Sequence, residues 1–92
     1  NPSSMAVEIE RQIISKLEGG CKTPAGCLAS IHKNKLKIDA YLSDITGTHV
    51  IRISDSGQLS DKIEIIENII AAFMDEGARA IIDSNRKALD NV

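Results

Sequence analysis

The thiol of Cys21 is the side chain best placed to do chemistry. It stands in the run Leu17-Glu18-Gly19-Gly20-Cys21-Lys22-Thr23-Pro24. A helical stripe leads into Gly19-Gly20, and glycine takes the left-handed conformation that closes a helix. Pro24 keeps the helix from resuming and biases Thr23 towards an extended backbone. Cys21 is therefore expected on a defined, exposed loop, where a thiolate could act as a nucleophile. Lys22 would favour the thiolate, while the negative end of the preceding helix would oppose it. Gly19 and Gly20 would also let the backbone approach a bulky group closely. On loop position alone, a single cysteine is more often a small buried hydrophobe than a reactive group.

The other candidates have plainer readings. Cys27 falls on a predicted strand and reads as packing. A Cys21–Cys27 disulfide fits the spacing but not a reducing compartment. A metal site from Cys21, Cys27, His32 and His49 matches no common zinc spacing, so no metal is expected. Asp39, Asp44, Asp55 and Asp61 fall where turns, caps or solvated faces account for them. Arg11, Arg52, Arg79 and Arg86 are too scattered to form a cluster in sequence. No catalytic acid or base stands out.

Composition narrows the classes. The 92 residues make one domain, which should bury about 60–65% of its unfolded surface. Aromatic residues are 2% of the chain, so the core must come from Ile, Leu, Val and Ala. A formal charge of −2 and the missing aromatics argue against nucleic acid. No apolar run approaches the length that spans a bilayer, and no signal peptide is visible. Two cysteines without an export signal point to the cytoplasm. Asn1 to Ser4 read as a linker or a cloning remnant, leaving 5–92 as the domain.

The elements that must position Cys21 follow from periodicity. Residues 5–17 read as a helix, with Met5 or Ala6, Ile9, Ile13 and Leu17 on one face and Ser3 or Ser4 as N-cap. Residues 26–32, 35–43 and 48–54 read as strands; Leu36, Ile38, Ala40 and Leu42 mark the buried face of the second. Ser54 to Gly57 reads as a break. A helix over 59–76 should bury Leu59, Ile63, Ile66, Ile70 and Phe73, with Ile69 and Met74 beside them. Ser60 or Asp61 would cap it, Asp61 forming a capping box with Glu64, and Gly77 would end it. A last helix from Ala78 to about Leu89 should turn Ala78, Ile81 and Ile82 inward. The sum is an α+β fold: a three-stranded antiparallel sheet with three helices packed on one face.

Several of these residues together carry a resemblance. Glu10-Arg11, the Leu17-Glu18-Gly19-Gly20-Cys21 motif, Pro24 and Gly26 resemble the C-terminal domain of hydroxymethylbilane synthase, also called porphobilinogen deaminase. Thr46-Gly47-Thr48 sits where that family has a turn between two strands, with Thr46 where aspartate is usual. Gly77-Ala78 and Ile81-Ile82 match the run that opens its last helix. The resemblance extends from about Met5 to Ile82. It implies that Cys21 carries a dipyrromethane cofactor through a thioether. It also implies two upstream domains as partners, which hold the catalytic aspartate and most substrate-binding arginines. The whole enzyme would join four porphobilinogen molecules into hydroxymethylbilane with release of ammonia, and this domain alone would be inactive. The competing reading is a free-standing α+β interaction module whose cysteine is structural or redox-sensing.

Overall fold

The computed structural model describes residues 2–18 and 23–90. The chain runs through helix α1 (Pro2–Glu18), strands β1 (Ala25–His32), β2 (Lys35–Ser43) and β3 (Val50–Gln58), then helices α2 (Lys62–Asp75) and α3 (Ala78–Asp90). The strands form one antiparallel sheet in the order β1-β2-β3. This is the expected α+β architecture.

Alternation fixes which face of the sheet is covered. Along β2, Leu36, Ile38, Ala40 and Leu42 are buried, while Lys35, Lys37, Asp39 and Tyr41 point outward. Ala29 on β1 joins the buried set. Onto this face pack Ile9, Ile13 and Leu17 of α1, Ile65, Ile66, Ile69 and Phe73 of α2, and Ala78 and Ile82 of α3. Two faces of different polarity thus arise from a period of two in the strands and 3.6 in the helices.

The β1–β2 connection is a two-residue turn at Lys33-Asn34, both with positive φ (49° and 64°). That twist suits a tight hairpin, and asparagine tolerates it well. The Leu59 N–H then donates to Asn34 O at 2.8 Å, tying the hairpin tip to the start of the helical layer.

Four local expectations are corrected. Helix α1 opens at Pro2, so Ser3 and Ser4 lie inside its first turn instead of capping it. Proline is favoured at that position because its missing N–H would have had no helical partner. Strand β3 starts at Val50 and continues to Gln58, so Ser54 to Gly57 is strand, paired through Ser54↔Asp39 to Gln58↔Lys35. Its inward positions there are Asp55 and Gly57, which hide the alternation. The gap at Gly57 is used: a methyl group there would come within 3.0 Å of Ile65 Cδ1.

The third correction is the phase of α2. Leu59–Asp61 forms a 3-10 turn before the α-helix. Three residues at 120° each, instead of 100°, rotate the helix behind them by about 60°. Ile63 is therefore exposed and Ile65 is buried. Fourth, Asp61 holds the N-cap position of α2, but its side chain makes no capping hydrogen bond. Its backbone (φ −98°, ψ 18°) is not the extended form a capping side chain needs. Gly77, with φ 97°, ends α2 as expected, its N–H donating to Met74 O at 3.1 Å.

Candidate functional site

Cys21, Gly19 and Gly20, the residues to which the sequence assigns the chemistry, lie outside the described residues, as does Lys22. Their flanks are well defined. On one side, Leu17 is fully buried in the core and Glu18 ends α1. On the other, Thr23 is buried, and Pro24 O accepts a hydrogen bond from Ser43 N–H at 2.8 Å, extending the β1–β2 ladder. The segment that carries Cys21 is thus strung between two fastened points, one on a helix and one on a strand.

Those two elements are also clamped to each other. The Glu10 carboxylate, projecting from α1, accepts a hydrogen bond from Ala29 N–H at 2.7 Å. Ala29 lies on β1, an edge strand, where an amide unpaired by the sheet needs another acceptor. In sequence, Glu10 reads as a solvated charge beside Arg11 and as part of the Glu10-Arg11 pair in the family resemblance. Its contact to the strand is not legible there, because it depends on how the helix crosses the sheet edge.

The second cysteine behaves as packing. Cys27 is a free thiol on the inward side of β1, half-buried against the core. Burial pushes its pKa up, aided by the negative charges of Glu10 and Asp39, to about 11. Such a thiol is protonated at neutral pH and is a poor nucleophile.

At the same end of the sheet, the β2–β3 turn is held by polar contacts. Asp44 Oδ2 pairs with His49 Nδ1 at 3.1 Å, and Asp44 N–H donates to His49 O at 3.1 Å. Burial raises the Asp44 pKa, but hydrogen bonds from the His49 side chain and backbone, Thr46 and Thr48 outweigh it and hold the carboxyl below its ordinary 3.8. Asp44 and His49 are therefore explained by the turn. So is Asn85, which the sequence reading does not single out. Asn85 on α3 is 2% exposed. Its Oδ1 accepts from Ile45 N–H at 2.9 Å, and its Nδ2 donates to Ser43 O at 3.2 Å. A signal is present: Asn85 succeeds Ala78 and Ile82 at helical spacing, a polar residue in an apolar stripe. Through Ser43, the Asn85 contact reaches Pro24 and the exit of the Cys21 segment.

The remaining candidates do not converge. His32 and His49 stand at opposite ends of the sheet, as the register shows. Among the described residues, no three His, Cys, Asp or Glu side chains come together to hold a metal ion. Arg52 stands on the outer face of the sheet, while Arg11 and Arg79 are carried by helices of the opposite layer. Asp39 accepts a hydrogen bond from Ser54 across the strands at 2.5 Å. No described helix is long and apolar enough to cross a membrane.

Comparison with known proteins gives this arrangement a context. Residues 4–75 match the family model described as porphobilinogen deaminase, C-terminal domain. A porphobilinogen deaminase of Desulforudis audaxviator is 33% identical over 82 residues, which is 88% of this chain and 26% of that protein. One of Helicobacter acinonychis is 33% identical over 81 residues, with the same coverage of 88% and 26%. One of Desulforamulus reducens is 30% identical over 81 residues. The chain thus spans about a quarter of the length of these curated relatives. A match over most of the chain, on a fold whose α1 and β1 bracket the cysteine motif, settles the affiliation: this chain belongs to the porphobilinogen deaminase C-terminal domain family.

Proposed function

We propose that residues 5–92 are the cofactor-carrying domain of a hydroxymethylbilane synthase, and that Cys21 is the covalent anchor for dipyrromethane. The observation that carries this reading is the family match across the Leu17-to-Pro24 motif, joined to the contrast between the two cysteines. A thioether needs a sulfur that can ionise and reach solvent. Cys27 is half-buried with a pKa of about 11, which leaves Cys21 for that task.

The flanks fit a bulky group at this position. Glycine at positions 19 and 20 is the residue type expected where the backbone must come close to a bulky group. Thr23, two residues beyond it, has a buried hydroxyl with no hydrogen-bond partner among the described residues. A bound group with a polar edge would offer it one.

Bound at Cys21, dipyrromethane would supply the primer from which four porphobilinogen units are joined into hydroxymethylbilane, with loss of ammonia at each step. This chain's residues hold that primer in place. Leu17 and Pro24 fix the ends of the Cys21 segment, Glu10 locks α1 to β1, and Asn85 with Ser43 secures the exit strand. Cys21 is an anchor and not an acid or base; the groups that break the carbon–nitrogen bond belong to the upstream domains. The isolated domain is therefore expected to be inactive. The work of the whole enzyme belongs in the cytoplasm.

The test is Cys21→Ser in the full-length protein. We expect loss of product formation with the fold retained and a thermal transition that is cooperative but lower, because a group held only by the folded state stabilises it. A Cys21→Ser protein that makes hydroxymethylbilane at the normal rate would overturn the proposal.

A further inference from the structure

All three helices pack on one face of the sheet, and among the described residues no element covers the other face. The bare face is not uniform. Its rows run Val50 beside Ser43, then Gly26, Tyr41 and Arg52, then Leu28, Asp39 and Ser54, then Ser30, Lys37 and Ser56, then His32, Lys35 and Gln58. The apolar residues all fall in the first three rows. Leu28 is 66% exposed, Val50 49% and Tyr41 43%. The last two rows are polar throughout.

The apolar end is also the end at which β1 emerges from the Cys21 segment, since Ala25 and Gly26 begin that strand. A side chain at Gly26 would run into the Tyr41 ring, so the glycine lets that ring lie across the strand. Among the described residues, Arg52 in the same row has no ion-pair partner. An apolar half-face that carries a cation and is rimmed by polar rows has the composition of a docking surface.

We infer that this half-face, centred on Leu28, Tyr41, Val50 and Arg52, is where the preceding part of the same polypeptide docks. The inference rests on the function proposed above and deepens it by naming the surface through which this domain meets the rest of the enzyme. What points to that occupant is length and position. About three quarters of each matched relative lies outside the region this chain covers, and the family is their C-terminal domain. A part of that size must come close to the Cys21 segment if the two act together, and this is the bare apolar surface at the end of the sheet where that segment joins β1. The docking partner should present apolar side chains to Leu28 and Val50 and a carboxylate to Arg52.

Two matched pairs make the test internal. Leu28 on the bare face and Ile63 on α2 are both 66% exposed in this domain. Val50 on the bare face and Val7 on α1 are 49% and 45% exposed. Hydroxyl-radical footprinting of the full-length protein, normalised to each residue's intrinsic reactivity, reads how far each is shielded. Leu28 should be oxidised about five-fold or more slowly than Ile63, and Val50 than Val7, because the core of an interface excludes water. Equal rates within each pair would overturn the inference, as would shielding of Val7 or Ile63 instead. Shielding that disappears on dilution, as a dimer separates, would assign the face to a second copy and would also overturn it. The mass of the Cys21 peptide from the same digest reads the cofactor-carrying role separately, so failure of one is distinguishable from failure of the other.

Discussion

Of the two cysteines, six residues apart, Cys27 has a reactivity that its surroundings set. Cys27 faces inward from β1, where burial and the charges of Glu10 and Asp39 raise its pKa from 9.0 to about 11. A thiol whose pKa is raised by folding favours the folded state below pH 9.0, and that contribution is lost as pH rises through about 11. At pH 8 its thiolate fraction should be about 100-fold below that of an ordinary thiol. Iodoacetamide should then modify Cys27 in the folded chain about 100-fold more slowly than after unfolding; equal rates would contradict its placement. The end of α1 at Glu18 and the start of β1 at Ala25 are legible in sequence, because glycine and proline act through local backbone geometry. The roles of Glu10 and Asn85 are not, because each acts on an amide far away in the chain, 19 and 40 residues distant.

At the scale of elements, the strong periods are readable and the phase is not. Strand β2 alternates cleanly, and its bounds and buried face are as expected. Helix α2 is isoleucine-rich on more than one side, so its buried stripe depends on the 3-10 turn that precedes it and on the space left by Gly57. The consequence is measurable by urea unfolding. Ile65→Ala should cost about 2–5 kcal/mol, while Ile63→Ala should change stability by about 0.5 kcal/mol or less. The reverse order would mean that the helix is turned the other way. Asn85→Ala would leave the Ile45 N–H and Ser43 C=O without their partner. A loss of about 2–4 kcal/mol is expected. A change under about 0.5 kcal/mol would show that α3 does not secure the β2–β3 turn.

For the molecule as a whole, one layer of helices on one face of a small sheet explains how the segment between α1 and β1 can be held at both ends. The core reaches Leu17 on one side of it and Thr23 on the other. The domain spans about a quarter of its matched relatives, so its work is to be judged in the full-length protein. The most direct measurement is the intact mass of that protein, with peptide mapping of Cys21. The account predicts a mass excess equal to one dipyrromethane on the Cys21 peptide, absent after Cys21→Ser and absent from the Cys27 peptide. An unmodified Cys21 in folded, active protein would contradict it.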